Sequence, residues 1–323
     1  MIPEITDDTG RENRIPYKLV PANSELQCQW INAHDRRFTE PFFEETATSL
    51  RILDPKNRRQ QLITPLHQML QQAQSLDSVT PAVIIFHLSR CGSTLVSQLF
   101  ATSGRFIVLS EVSFFNDILC LPFSAPGFDE TQIPGLLSSS INFYGRKRFA
   151  MEEDVLIKTD CWHIFFYDTL RKIFPEVPFV LMYRSPNEVL RSHLKIAGRQ
   201  TVPQVVDPRI FGLPGMPDVY QRDVYTATII EKLLAKFLEV AETDNNCLLV
   251  NYNEGALAVV KKIAAFTNIA LRAEEMGIME ERSHYHSKKP GELFSKEPAA
   301  EIPECLKEAM RLYEVLEEKR KTK

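Results

Sequence analysis

The sequence predicts an α/β protein: a parallel sheet with helices on both faces. Three observations lead there. From residue 81 onward, short apolar, β-branched runs alternate with amphipathic helical patterns. The first of these runs, Val83, Ile84, Ile85 and Phe86, reads as a buried strand. It breaks into a Gly-containing turn and then a helix, a layout that aims backbone N–H groups at a phosphate.

The elements follow in order. Residues 1–20 are polar and charged and are expected to lie loosely on the surface. Residues 25–53 carry Trp30, Phe38, Phe42, Phe43 and Leu50, enough to pack against something, with Glu40-Pro41 and Asp54-Pro55 as punctuation. Residues 57–75 read as a helix with Leu62, Leu66, Met69 and Leu70 near one face. Residues 1–80 are thus read as an extension packed on a main domain over 81–323. In that domain strands are expected at 82–88, 106–110, 155–159, 178–183 and 247–252, and helices at 93–103, 112–119, 162–174, 186–197, 218–242 and 253–266. Two insertions, near 120–150 and 198–218, interrupt the alternation. Interruptions of that length often form lids or substrate-binding elements.

The turn after the first strand reads Ser89-Arg90-Cys91-Gly92-Ser93-Thr94, followed by Leu95, Val96, Leu99 and Phe100 at helical spacing. Aligned with G-x-x-x-x-G-K-[ST], it has His87 at the first Gly and Ser93 at the Lys. The lysine that reaches the β- and γ-phosphates is absent. Arg90 supplies a fixed positive charge instead. A phosphate-cradling loop that does not use a nucleoside triphosphate is the expectation.

Ser89-Arg90-Cys91-Gly92-Ser93-Thr94-Leu95 resembles the 5′-phosphosulfate loop of sulfotransferases, P-[KR]-S-G-[ST]-T-x. A second stretch, Phe179-Val180-Leu181-Met182-Tyr183-Arg184-Ser185-Pro186 with Ser192 beyond it, resembles that family's 3′-phosphate signature, strand-R-x-P-x5-S. The resemblance covers residues 81–195 well, 245–295 loosely and 1–80 not at all. It implies a three-layer, sulfotransferase-like P-loop fold and 3′-phosphoadenosine-5′-phosphosulfate as donor, with no metal. It assigns the 5′ end to Arg90, Cys91, Gly92, Ser93, Thr94 and Leu95, with Cys91 acting through its backbone. It assigns the 3′-phosphate to Arg184 and Ser192. Tyr252, at the end of Leu248-Leu249-Val250-Asn251, is similar to a family tyrosine near the donor. His286-Ser287-Lys288-Lys289-Pro290-Gly291 loosely resembles the late basic loop, which brings in Lys288 and Lys289.

Transfer of a sulfonyl group also needs charge stabilisation and a base. Lys158, ending the strand Val155-Leu156-Ile157, matches a family lysine that reaches the sulfonate or bridging oxygen. The family histidine two residues later is replaced here by Asp160. A glutamate about twenty residues after the loop arginine, the arrangement of tyrosylprotein sulfotransferases, is matched by Glu111. A partly desolvated carboxylate there suits proton abstraction. Glu111 ranks first as base, Asp160 second, and His87 and His163 after them. A capping role for Glu111 on the following helix is the competing reading. A small-molecule or nucleotide kinase, and a non-enzymatic module binding a bisphosphorylated adenosine, are the other function classes; the latter has no need of Glu111 and Lys158.

Bulk properties bound the rest. With 323 residues, 44% hydrophobic and 25% charged, the chain can bury a large core. Its net charge of −4 excludes a global field for nucleic acid, so an anionic ligand must be held by individual Arg and Lys residues. No run of about 18 apolar residues offers a membrane span, and the first residues do not resemble a signal peptide. Six scattered cysteines without C-x-x-C spacing suit free thiols, and a cytoplasmic protein is expected. The implied partner is a hydroxyl-bearing acceptor. If Phe114, Phe115, Leu119, Leu121, Phe123, Phe143 and Phe149 line its pocket, it is lipophilic, such as a sterol or phenol. The oligomeric state is not legible.

Overall fold

In a computed structural model of the chain, the described residues are 13–22, 25–59, 61–215, 221–286, 289–293 and 301–322. A three-stranded antiparallel sheet of β1 (Arg14–Ala22), β2 (Glu25–Asn32) and β3 (Ile63–Pro65) comes first, together with α1 (Phe43–Leu53), α2 (Lys56–Arg59) and α3 (Leu66–Ala73). Then follow β4 (Pro81–His87), α4 (Ser93–Ala101), β5 (Phe106–Ser110), α5 (Ser113–Leu119), α6 (Leu121–Ser124), α7 (Ile133–Tyr144) and β6 (Asp154–Lys158). The chain continues through α8 (Tyr167–Ile173), β7 (Phe179–Tyr183), α9 (Pro186–Lys195), α10 (Arg222–Thr243), β8 (Cys247–Asn251), α11 (Ala256–Phe266) and α12 (Ala273–Ser283). A short hairpin of β9 (Tyr285–His286) and β10 (Lys289–Leu293), and the terminal helix α13 (Lys307–Thr322), complete it.

Strands β5-β6-β4-β7-β8, in that order, make one parallel sheet. Every residue of β5 and β7 is buried, inward and outward positions alike, so both faces are covered. The covering helices fall into two groups by contact: α4 with α11 and α12, and α10 with α9 and α13. After β4 the chain departs to one side of the sheet, to β5, and later returns to the other side at β7. The carboxyl ends of β4 and β7 therefore flank the point where strand order reverses, where open α/β sheets bind ligands.

Five strand expectations agree with the observed spans to within one residue at each end. The helices differ more. The pattern over 57–75 is not one helix. It splits into α2, β3 and α3, because Ile63–Pro65 pairs with Gln27–Gln29 and pulls the backbone into the antiparallel sheet. The helix over 162–174 begins as a 3-10 turn, Cys161–Phe166, before α8. The helix over 253–266 starts only at Ala256, after a turn at Tyr252–Glu254.

Residues 14–20 do not lie loosely on the surface. They form β1, and Ile15 and Tyr17 are each 2% exposed. Pairing with β2 and packing on α5 and α7 overrides the polar composition. The Tyr144 hydroxyl donates to the Pro16 carbonyl, and the Trp30 indole N–H donates to Thr64 Oγ1 at 2.9 Å. Phe143 meets the Trp30 ring edge-on with centroids 4.8 Å apart, and Phe115 does the same to Tyr144 at 5.1 Å. Of the apolar residues expected to line an acceptor pocket, Phe114, Phe115, Leu119, Leu121 and Phe143 are buried in this shared core, and Phe123 and Phe149 are half-buried.

Candidate functional site

Three backbone features shape the turn after β4. Arg90 and Gly92 both adopt left-handed φ values, 64° and 88°. Such a conformation is unfavourable for a residue with a Cβ, and an arginine held there is an observation that asks for a functional reason. A Cβ on Gly92 would fall inside the Tyr252 ring, so only glycine lets that ring lie on the turn. Helix α4 starts at Ser93 with no side-chain cap. Its geometry leaves the N–H groups of Ser93 and Thr94 without intrahelical acceptors. The Cys91 N–H donates to Leu88 O at 3.2 Å and the Leu95 N–H to Gly92 O at 3.0 Å. Those two groups are thus engaged internally, and the Ser93 N–H and hydroxyl lie against the Cys91 sulfur. The Cys91 side chain is fully buried with Sγ donating to Met182 O at 3.4 Å, and burial pushes its thiol up to about 12. It is an inert packing group.

Arg90 turns its guanidinium toward α9, where Nε donates to Ser192 Oγ at 2.8 Å across 102 positions of sequence. Arg184 stands at the end of β7, next to β4. One of its nitrogens pairs with Glu188 on the first turn of α9, and its guanidinium carbon is 5.8 Å from the centre of the Tyr252 ring. Among the described residues, Arg184 Nε is buried without a hydrogen-bond partner. An unsatisfied buried donor on a cation is what a phosphate oxygen would complete. Tyr252 thus bridges the turn at Gly92 and the arginine at the end of β7.

On the other side of β4 lies a buried charge pair. Lys158, 0% exposed at the end of β6, places Nζ 2.5 Å from Glu111 Oε1. Glu111 follows β5 with a left-handed φ of 53°, and its N–H continues the strand pairing to Lys158 O at 2.8 Å. His87 Nε2, at the end of β4, is 3.5 Å from the same carboxylate oxygen and 2.9 Å from Thr159 O. Burial alone would raise the Glu111 carboxyl. The Lys158 ammonium, with His87 behind it, outweighs this and holds the group well below the usual carboxylate range. Asp160 behaves oppositely: burial, then repulsion from Glu111, pushes its carboxyl up. It is 2% exposed; its Oδ2 makes no hydrogen bond and lies 3.6 Å from His163 Nε2, and Arg199 lies 3.8 Å from its other oxygen. Burial keeps His163 neutral, down at about 3, with Nε2 3.3 Å from Asn116 Oδ1. Glu111 keeps a 22% exposed side chain and is the more accessible of the two carboxyls.

Arg90, Gly92, Ser93, Thr94, Arg184, Ser192 and Tyr252 therefore come together around the ends of β4 and β7, and Glu111, Lys158 and His87 around the ends of β4, β5 and β6. Lys288 lies outside the described residues, and Lys289 is described only as backbone of β10 opposite His286. Two contributors escaped the sequence reading. Glu188 was visible as an acidic residue four positions after Arg184 on a helix, a standard pairing distance. Phe42, whose ring lies over Lys158 Nζ, carried no signal at all.

No family model matches the chain, and no curated protein matches it. Solved structures similar to it include sulfotransferase STF9 from Mycobacterium avium, 13% identical over 67% of this chain and 71% of that one, with a TM-score of 0.43. Mouse sulfotransferase SULT7A1 complexed with PAP is 11% identical over 69% and 72%, with a TM-score of 0.35. A sulfotransferase from Alicyclobacillus acidocaldarius is 12% identical over 76% and 95%, with a TM-score of 0.38. At such distances no residue role transfers, and the roles given below rest on this chain's own side chains.

Among the described residues, no helix is long and apolar enough to cross a membrane, and no group of His, Cys, Asp and Glu has the arrangement of a metal site.

Proposed function

We propose that the chain is a sulfotransferase that moves a sulfonyl group from 3′-phosphoadenosine-5′-phosphosulfate to an acceptor hydroxyl, in line and without metal. The observation that carries this reading is the 2.8 Å hydrogen bond from Arg90 to Ser192, which joins the two phosphate-binding motifs at the point where strand order reverses. The unsatisfied Nε of Arg184 beside them supports a second anionic group on the same ligand.

The donor would supply a sulfonyl group already activated by a phosphate leaving group. The N–H groups of Gly92, Ser93 and Thr94 and the Arg90 guanidinium would hold the 5′ end, and Arg184 and Ser192 the 3′-phosphate, with Tyr252 packed between. Lys158 would neutralise charge that develops on the sulfonate or bridging oxygen. Glu111 would take the acceptor proton. While Lys158 grips it, Glu111 is a weak base. When the ammonium shares itself with an incoming anion, that grip loosens and the carboxylate binds a proton more strongly. The pair would thereby couple donor binding to base strength. The acceptor is proposed only as a hydroxyl compound.

We also propose that residues 1–80 belong to the same folding unit as 81–323; the packing of β1 on α5 and α7 supports it. Among the described residues no disulfide joins the cysteines, which suits a reducing compartment, and we propose the cytoplasm.

The test is a melting experiment with 3′-phosphoadenosine-5′-phosphate against ATP with magnesium, followed by labelled donor offered to sterols, phenols, peptides and glycans. The bisphosphate should stabilise by about 2.7 kcal/mol at a hundredfold excess over its dissociation constant. Equal or greater stabilisation by ATP would replace this reading with a kinase.

A further inference from the structure

The segment that leads into α1 and its first turn lies outside both phosphate motifs, yet it is tied to the elements that carry them. Arg37 donates to Ala101 O and Ser103 O, at and just beyond the end of α4, at 3.1 and 2.5 Å. Gln98 of α4 donates to Thr39 O at 2.9 Å. Glu44 accepts from Tyr17 at 3.0 Å and from Ser113, two residues after Glu111, at 3.3 Å. Within the segment, Glu40 accepts from Thr46 Oγ1 at 2.6 Å and pairs with Arg36, which fixes the bend into α1. The two rings at that bend diverge. Phe43 is buried edge-on against Phe38 and Tyr144. Phe42, half-buried with extended backbone, has its ring centre 5.0 Å from Lys158 Nζ.

A fully buried ammonium needs compensation on every side it presents. Glu111 supplies one side. A ring face within about 6 Å supplies electrostatic attraction on another and leaves no lone pair to compete for the proton. We propose that residues 37–46 complete the catalytic side of the site, with Phe42 as a positioning residue that holds the Lys158 ammonium in place through its ring face. The function assigned to Lys158 rests on the sulfotransferase reading; the ring–ammonium contact does not.

The charged and titratable groups facing Lys158 are Glu111 beyond β5, His87 at the end of β4, and Asp160 and Cys91 at longer range. Glu111 dominates, so the ring is best measured with it neutralised. The full-length chain with Glu111→Gln, carrying 13C-labelled lysine, gives a Lys158 Cε signal assigned by its loss in Lys158→Arg. Adding Phe42→Leu should lower the Lys158 titration midpoint by at least half a pH unit, about a threefold change in its acid dissociation constant. Adding Phe42→Trp, which keeps a ring face, should not. Coincident midpoints for all three would overturn the proposal. In the otherwise native chain, with 2-naphthol as probe acceptor, Phe42→Leu should lower kcat about tenfold at unchanged donor KM, and Phe42→Trp should restore it. A Phe42→Leu chain with native kcat but a lower melting temperature would assign the ring to packing alone and also overturn the proposal. Absence of transfer by the native chain to 2-naphthol and to the sterols, phenols, peptides and glycans alike would count against the sulfotransferase reading, while the titration still decides the role of Phe42.

Discussion

Replacing Lys158 by Met removes one half of a buried ion pair and leaves the other in place. The structure sets the scale. At 2.5 Å, and with an effective dielectric constant of about 20, the gross attraction between the two charges is about 6–7 kcal/mol. Part of that is offset in the native state by desolvation of both groups. Breaking buried pairs by removing one partner destabilises by about 3–5 kcal/mol, because the remaining charge is left uncompensated. Met preserves the stem volume, so we expect a loss in that range at pH 8. The sign of the pH dependence follows from the Glu111 carboxyl. In the native chain it is held low, so its contribution to stability is present above the ordinary carboxylate range and is lost only as pH falls through its depressed folded value. In Lys158→Met, burial instead raises it, and protonation relieves the penalty as pH falls. The stability gap between the two chains should therefore narrow from pH 8 to pH 5. Urea denaturation at both pH values measures it. The entropy of unfolding, about 2.1 cal/mol/K per residue over 323 residues, makes 3–5 kcal/mol equal to a melting shift of about 4–7 °C. Glu111→Gln in the same chain should recover much of the loss. A gap that stays constant with pH, or a double variant no more stable than Lys158→Met, would refute the account of this pair.

Three further outcomes are expected. Arg184→Ala should weaken binding of the 3′,5′-bisphosphate about 10- to 150-fold, corresponding to about 1.5–3 kcal/mol for a charge-assisted bond, and leave adenosine-5′-phosphosulfate nearly unchanged by calorimetry. Glu111→Gln should lower kcat at least about a hundredfold with donor affinity unweakened or tighter, because Lys158 is released to the anion, and Asp160→Asn much less; the reverse order in a kinetic comparison would make Asp160 the base. Gly92→Ala should destabilise by about 2–4 kcal/mol, combining left-handed strain with overlap on the Tyr252 ring, and a cycle with Tyr252→Ala should recover at least about 1 kcal/mol of it.

Local chemistry in the sequence determined the parallel sheet and the glycine turn after β4. Val83 to Phe86 are apolar at successive positions because β4 is covered on both faces, and Gly92 stands where only glycine tolerates the approach of another ring. Such requirements act within a few residues, so they leave a readable pattern. The edges of the reading failed where distant partners intervened. Residues 14–20 looked polar enough to be loose, yet hydrogen bonds to β2 and packing under α7 made them a strand. The pattern over 57–75 had helical spacing, but pairing of Ile63–Pro65 with β2 broke it. Glu111 and Lys158 could each be singled out from their place at a strand end. That they neutralise one another, that Asp160 is buried behind them, and that Phe42 from far upstream lies on the ammonium were decided only by the tertiary structure. A charge's protonation and reach depend on what surrounds it in three dimensions, and one-dimensional spacing does not encode those neighbours.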